Sequence, residues 1–223
     1  MYIPDYIRIL QVKILEILNP DILLWRYATP GIPDELFERS EQVPITKEEV
    51  RSLTISKLRL KEGFSAIDIG CGSGSLTVEI CNQIKHGMMY AIDFDEKAVE
   101  LTKLNLSRFG FTAQVILSDA TEILPRLPQV NAIVVGGTWS NTRRIIEMGI
   151  MKLHDGGRIV INTILIESAC EALSTIYDAN LEEVDVTQVM ISKSRKVTTG
   201  TMMLARNPVL IISASKPLNE SHH

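Results

Sequence analysis

A run of glycines after a short apolar stretch is the feature of this sequence best suited to bind a ligand. Residues 66–69, Ala-Ile-Asp-Ile, predict a buried strand of a parallel sheet, and Gly70, Gly72 and Gly74 follow in a turn. Because such a turn has few Cβ atoms, its backbone can approach a nucleotide-sized ligand closely. The residues from Ser75 onward predict a helix. The spacing is G-x-G-x-G, which differs from the G-x-G-x-x-G of dinucleotide enzymes.

A carboxylate follows at the end of the next predicted strand. Asp93 comes directly after the apolar run 88–92, where a carboxylate can accept hydrogen bonds from both hydroxyls of a ribose. The turn and Asp93 together resemble the cofactor site of the Rossmann-like methyltransferases that use S-adenosylmethionine (SAM). The alternatives are an ordinary tight turn and capping of the next helix by Asp93 or Asp95.

The elements around this turn alternate between strand and helix, which predicts an α/β fold with a mostly parallel, seven-stranded sheet. Two strand-like runs, 183–191 and 201–214, end the chain and predict a terminal antiparallel hairpin, with the polar segment 192–200 between them. Apolar residues at helical spacing predict an amphipathic helix near the N-terminus. We therefore expect a helical extension at residues 1–28 and a methyltransferase domain at 29–217.

In such sheets, ligands bind at the carboxyl ends of the strands, which directs attention to four loops. The glycine turn is expected to face the methionine part of SAM, and Asp93 the ribose. Asp119 and its neighbour Ala120 are expected beside the adenine, although Asp119 could equally be a helix cap. Gly136 and Gly137 are expected to face the transferred methyl group. The alternative interpretation is that these glycines only end the strand and begin an ordinary loop.

Basic residues gather after the predicted last parallel strand. The segment 192–196 contains Lys193, Arg195 and Lys196, and Arg143 and Arg144 begin the helix after the fourth strand. A charge run is usually solvated surface. Positive groups on the ligand side of an acidic protein also predict an anionic substrate, because guanidinium groups bind carboxylates in bidentate fashion.

Two further residues have competing interpretations. Thr46, followed by Glu49, matches a capping box, although a hydroxyl at a helix start could also contact a ligand. Trp139 follows the glycine pair, where it could pack in the core or stack on a planar substrate. No general base stands out, and Glu167 is the one carboxylate near this face that the sequence suggests testing. A first-turn helix position explains it equally well.

Composition narrows the functional classes. The net charge of −4 over 223 residues argues against a generally basic, nucleic-acid-binding surface. Three cysteines without a CxxC pair are typical of a reducing compartment and argue against a structural zinc site. No apolar run reaches membrane-spanning length, and no signal-peptide pattern is present. We therefore expect a cytoplasmic protein without a metal, nucleic-acid or membrane partner.

Five stretches together resemble one family, the decarboxylating precorrin methyltransferases of cobalamin biosynthesis, of the CbiT type. Three of them are distinctive, and the glycine run and Val-Val-Gly-Gly are less so. The stretches are Thr-Pro-Gly-Ile-Pro-Asp-Glu-Leu-Phe at 29–37, Pro-Ile-Thr-Lys-Glu-Glu-Val-Arg at 44–51, Asp-Ile-Gly-Cys-Gly-Ser-Gly at 68–74, Val-Val-Gly-Gly at 134–137 and Gly-Thr-Met-Met at 200–203.

The resemblance implies methylation at C15 of a cobalt-precorrin-6B-type tetrapyrrole, with decarboxylation of the acetate side chain at C12. It implies a class I SAM-dependent methyltransferase fold, a homotetramer and pairing with a separate C5-methyltransferase. We expect Gly136, Gly137 and Arg195 to contact the substrate. The expected cofactor contacts are Thr46, Gly70, Cys71, Gly72, Ser73, Gly74, Asp93, Asp119 and Ala120.

Two other functional classes stay open at this point. A tRNA or protein methyltransferase would share the SAM site, although the chain has no Asn/Asp-Pro-Pro-aromatic motif and no Pro-Cys pair. A binding module that holds SAM or a nucleotide without chemistry is the third possibility.

Overall fold

A seven-stranded sheet runs through the centre of the protein. The computed structural model describes residues 24–137 and 141–218. The strands are β1 (Ala66–Ile69), β2 (Met89–Asp93), β3 (Gln114–Leu117), β4 (Val130–Gly136), β5 (Leu153–Thr163), β6 (Glu182–Val189), β7 (Ser192–Val197), β8 (Gly200–Ala205) and β9 (Val209–Ser215). The helices are α1 (Glu48–Leu58), α2 (Ser75–Ile84), α3 (Glu96–Arg108), α4 (Ala120–Ile123), α5 (Thr142–Lys152) and α6 (Ile166–Asp178), with 3-10 turns at Asp34–Leu36 and Leu124–Arg126.

The order of the strands identifies the ligand edge. They lie in the order β3-β2-β1-β4-β5-β9-β6. The pairs from β3 to β5 are parallel, whereas β9 is antiparallel to both β5 and β6. The order reverses between β1 and β4, so the loops after these two strands meet at the carboxyl edge, where open α/β sheets bind ligands. The predicted α/β fold with a mostly parallel sheet is confirmed.

Helices cover both faces of this sheet. Alternate residues of β4 separate into two cores, with Ile133 and Val135 facing α5 and α6, and Ala132 and Val134 facing α1, α2 and α3. Because side chains of a strand alternate between faces, a strand covered on both sides has every side chain buried and is therefore mostly apolar. This explains why all four residues of β1 are buried.

The end of the chain differs from the predicted simple hairpin. The pairing of β6 with β9 confirms the antiparallel end of the sheet. However, the polar segment after β6 is itself a strand, β7, and it pairs with β8 as a separate two-stranded ribbon. The predicted run 201–214 is therefore divided between β8 and β9. The sequence did not predict the ribbon, because both of its faces are largely exposed and its residues therefore do not alternate between apolar and polar.

The predicted N-terminal helix falls mainly on residues 1–23, which lie outside the described residues, and the division at residue 29 stays a prediction. The chain just before residue 29 lies against α2, where Asn82 Nδ2 and Gln83 Nε2 donate to the carbonyls of Tyr27 and Ala28 at 3.1 and 2.8 Å. Among the helices of the described ranges, none is long and apolar enough to cross a membrane.

Candidate active site

A cavity of about 360 Å³ opens at the carboxyl edge of the sheet, where the loops after β1, β2, β3 and β4 meet. A segment before α1 and the start of α5 complete its wall. Seven of the residues predicted from the sequence line it, namely Gly70, Gly72, Asp93, Asp119, Ala120, Gly136 and Gly137. The other predicted residues do not line it, namely Thr46, Cys71, Ser73, Gly74 and Arg195.

The glycine turn brings two backbone segments into contact. Gly70 has a φ of +75°, and a Cβ atom there would lie 2.1 Å from the carbonyl oxygen of Gly136. Gly74 precedes α2 with a φ of +73°, and its Cβ would lie 2.8 Å from Thr102. No side chain fits at either position. Gly70 lets the loops after β1 and β4 meet, and Gly74 lets the turn pack against Thr102 of α3. This backbone surface has the close approach that a nucleotide-like ligand needs.

Asp93 joins the glycine turn to the start of the next helix. Its Oδ2 accepts from the N–H of Gly72 at 2.9 Å, and its Oδ1 accepts from the N–H of Asp95 at 3.0 Å. An ionised carboxylate has about four acceptor positions, so both oxygens can accept another hydrogen bond. Because Asp93 also lines the cavity, its carboxylate can receive two neighbouring hydroxyl groups. Asp95 caps α3 by accepting from the N–H of Lys97 at 2.9 Å.

Beneath the turn, three side chains are withdrawn from the cavity. Burial raises the pKa of the Cys71 thiol well above its usual value, so the thiol stays protonated and is a poor nucleophile. Burial also raises the pKa of Asp68 to about 7, against a hydrogen bond from Thr77 Oγ1 at 2.6 Å. Within the described residues, the buried Ser73 hydroxyl has no hydrogen-bond partner.

Asp119 forms the helix cap that was one of its two interpretations. Its Oδ1 accepts from the N–H and the Oγ1 of Thr121 at 2.7 and 2.6 Å. These hydrogen bonds hold the pKa of the Asp119 carboxyl below its usual value. Both Asp119 and Ala120 nevertheless line the cavity beside Ser118, so the cap leaves them accessible to a ligand.

The capping box predicted at Thr46 is wrong. Lys47 is the N-cap residue of α1, and its side chain makes no capping hydrogen bond. Instead, the N–H of Glu48 donates to Asp34 Oδ1 at 2.9 Å, so a carboxylate from a distant segment replaces the local hydroxyl. The carboxylate of Glu49 turns to Lys193 and Arg206, at 3.2 and 3.3 Å.

A buried ion network near this helix was missed by the sequence analysis. Arg51 is fully buried, and its Nη1 donates to Asp34 at 2.8 Å while its Nε lies 3.4 Å from Glu79. The guanidinium also donates to the carbonyls of Ile32 and Thr46. The one available signal was Glu79, the only charged residue in the apolar helix α2. Through Arg51, the network joins α1 to α2 and to the segment before α1, part of which lines the cavity.

The cations at this edge divide into paired and unpaired groups. Lys193 lies 3.0 Å from Glu48, and Arg143 lies 3.0 Å from Asp178 at the end of α6. The expectation that Arg143 gathers with the ligand-side cations is therefore wrong, because its guanidinium is turned to α6. Within the described ranges, Arg195 and Lys196 are exposed and make no ion pair.

Two further sequence hypotheses have different outcomes. Glu167 lies in the first turn of α6 and is exposed, so it does not belong to a buried site. Trp139 falls in residues 138–140, outside the described residues. Across the described part of the chain, no cluster of three or more His, Cys, Asp or Glu residues could hold a metal ion.

One family model matches most of this chain. The profile of the family described as "Precorrin methyltransferase domain" matches residues 35–216. A relative from Saccharolobus solfataricus is 43% identical over 197 residues, covering 86% of this chain and 99% of its own length. That relative is named a probable cobalt-precorrin-6B C(15)-methyltransferase (decarboxylating).

Solved structures show the same relationship. Precorrin 8W decarboxylase from Methanobacterium thermoautotrophicum is 34% identical, with a TM-score of 0.78 over 82% of this chain and 98% of that one. Precorrin-6y C5,15-methyltransferase from Geobacter metallireducens is 30% identical, with a TM-score of 0.79 over 86% and 100%. The predicted Rossmann-like methyltransferase fold of class I is confirmed. From the profile match and these relatives, this chain belongs to the precorrin methyltransferase family.

Proposed function

We propose that this protein is a SAM-dependent methyltransferase that methylates C15 of cobalt-precorrin-6B and removes the carboxyl group of the C12 acetate as carbon dioxide. The observation that carries the proposal is the cavity between the glycine turn, Asp93 and the glycine pair after β4, in a chain of this family. The names of the relatives supply the substrate.

The cavity supports SAM as the cofactor. Gly70 and Gly72 would present backbone to the methionine part, and the two acceptor oxygens of Asp93 would hold the ribose hydroxyls. Asp119 and Ala120 would lie beside the adenine. Cys71, Ser73 and Gly74 would act through the backbone of the turn. We also assign Thr46 a cofactor contact, as the family resemblance implies; it lies two residues after Pro44, which lines the cavity.

When bound, SAM supplies an electrophilic methyl group. Such a reaction needs alignment and exclusion of water more than acid–base catalysis, which agrees with the absence of an evident general base among the described residues. Gly137 contributes an approach path, because no atom of the described residues lies within 4 Å of the position that a Cβ would take there. Gly136 and Gly137 thereby leave the reacting carbon of the macrocycle free to come close.

Decarboxylation takes place in the same cavity as methyl transfer. The bond between the acetate methylene and its carboxyl carbon breaks, carbon dioxide leaves, and the electron pair of that bond passes into the conjugated ring that gains the methyl group. A dry surface around the carboxylate favours this loss. Arg195 on the exposed ribbon would bind other carboxylates of the substrate rather than the one that is lost, because a paired carboxylate is stabilised.

The assembly and its setting are also part of the proposal. We propose a homotetramer in the cytoplasm that works beside a separate C5-methyltransferase. Exposed apolar side chains on the ribbon, Met203 among them, support contact between copies. Light scattering coupled to size exclusion would test the tetramer.

Mass spectrometry of the product tests the reaction. The purified protein, given SAM and cobalt-precorrin-6B, is expected to yield a product heavier by one methyl group and lighter by one carbon dioxide. A methylated product that kept every carboxyl group would refute the decarboxylation. Methylation of tRNA in place of the tetrapyrrole would refute the substrate.

A further inference from the structure

Four large apolar side chains near the cavity are exposed, and none of them belongs to the cofactor or substrate contacts described above. Ile164, Leu165 and Ile166 follow the end of β5, and Met190 follows the end of β6. Between 54% and 76% of each residue is accessible to solvent. Exposed apolar side chains that gather on one part of a surface mark a binding site in proteins that otherwise bury such side chains.

The register of the sheet places these residues beside the glycine pair. Gly136 pairs with Asn162 on β5, and Val209 of β9 pairs with Val189 at the end of β6. The residues after β5 and β6 therefore rise beyond the edge where Gly137 lies. With about 4.8 Å between strands, β6 lies three spacings, roughly 14 Å, from β4. The apolar side chains thus extend the cavity mouth sideways along the edge.

Positive charge borders this surface. The ribbon of β7 and β8 begins two residues after Met190, and Lys193 at its base turns to Glu48 on α1. Because side chains alternate along a strand, Lys196 lies on the opposite side of the ribbon, away from α1. In the described ranges it has no carboxylate partner. An apolar surface with an unpaired cation on the adjoining ribbon is complementary to a flat ring with apolar faces and a rim of carboxylates.

We propose that Ile164, Leu165, Ile166 and Met190 form an apolar shelf that holds one face of the tetrapyrrole macrocycle, with Lys196 binding a carboxylate at its rim. The inference rests on the proposed function and names the residues that select a macrocyclic substrate. The shelf fixes the plane of the ring, so that its edge enters the opening at Gly137. A second copy of the chain is the competing occupant, and the experiment separates the two.

The test uses serine variants with a matched control. Met190→Ser and Leu165→Ser remove apolar contact from the shelf, whereas Met151→Ser removes an equally exposed methionine at the far end of α5. We expect each shelf variant to raise the KM for cobalt-precorrin-6B about tenfold or more, because burial of one such side chain is worth at least that factor. The affinity for SAM, measured by calorimetry, and the kinetics of Met151→Ser are expected to stay unchanged.

A second measurement does not depend on turnover. Uroporphyrin, a stable planar tetrapyrrole with carboxylate side chains, is titrated by fluorescence, and weaker binding by both shelf variants than by Met151→Ser supports the shelf even if the wild type does not methylate. Equal uroporphyrin binding and equal KM in all variants would overturn it. A lower molecular mass of the shelf variants in light scattering would assign the surface to contact between copies and would also overturn it.

Discussion

Gly137 has a left-handed backbone, with a φ of +58°, and none of the residues that the structure describes comes within 4 Å of where its side chain would begin. Asparagine tolerates this conformation better than a β-branched residue, so Gly137→Asn fills the opening with the least backbone strain. We expect this variant to lose methyl transfer by a hundredfold or more, in the range of about 3 kcal/mol, while SAM still binds. Single-turnover kinetics and SAM calorimetry on the same sample measure the two effects.

The matched control is Gly63→Asn. Gly63 also has a left-handed backbone, with a φ of +81°, but it lies at the other end of the sheet, before β1. Its rate of methyl transfer should equal that of the wild type. A Gly137→Asn enzyme with full activity would show that the substrate approaches from elsewhere.

Asp68 predicts a specific dependence of stability on pH. Burial raises the pKa of its carboxyl group to about 7 in the folded protein, from 3.8 in an exposed chain. Between these values the folded state binds more protons than the unfolded state, so this carboxyl group makes the free energy of unfolding fall as the pH rises. Asp68→Asn keeps an oxygen that accepts the hydrogen bond from Thr77, but its amide group does not titrate. We expect its stability relative to wild type to increase between about pH 4 and pH 7 in urea unfolding. A difference that stayed constant with pH would mean that Asp68 is ionised throughout.

At the scale of elements, the network of Arg51, Asp34 and Glu79 holds the segment before α1 against α2. Arg51→Met leaves the buried Glu79 carboxylate without its cation, and it leaves Asp34 only the longer ion pairs with Lys47 and Arg206. Breaking a buried ion pair in this way typically costs about 3–5 kcal/mol of unfolding free energy. Chemical denaturation measures that loss. Arg59→Met serves as the control, because the ion pair of Arg59 with Glu183 is exposed. The control is expected to unfold as the wild type does, and equal losses in both variants would contradict the special role of the buried network.

The ribbon is the second element with a testable role. Replacing Arg195 and Lys196 with alanine should raise the KM for the tetrapyrrole and reduce its salt dependence, while the affinity for SAM is retained. Alanines at Lys61 and Arg126 remove the same charge before β1 and β4, at the opposite edge. This control should leave the KM unchanged. Equal loss of affinity for both ligands in the ribbon variant would assign the ribbon to folding or to the cofactor.

At the scale of the whole molecule, SAM binding should stabilise the fold. At one hundred times its Kd, SAM raises the free energy of unfolding by about 2.7 kcal/mol if it binds only the folded state. Asp93→Ala, with a tenfold weaker Kd, should gain only about 1.4 kcal/mol at the same concentration. Thermal unfolding with and without SAM measures both gains. An undiminished gain in the variant would remove Asp93 from the cofactor site.

The sequence alone determined the features whose cause is local. Apolar runs predicted the buried strands, and α2 begins at Ser75, where the sequence predicted a helix. The sequence also predicted the glycine turn and Asp93. Both features depend on residues that are neighbours in the sequence: glycines where the backbone needs φ > 0, and a carboxylate at the end of a strand. For the same reason seven of the predicted site residues share one cavity.

Only the tertiary structure decided the features that join distant segments. Asp34 caps α1 in place of Thr46, and Arg51 pairs with Glu79, because the folded chain brings carboxylates from other elements within hydrogen-bonding distance. The direction of Arg143 depended on Asp178 in the same way. The exposed shelf residues look like ordinary core positions in the sequence, since an apolar side chain is buried or left open according to what packs against it.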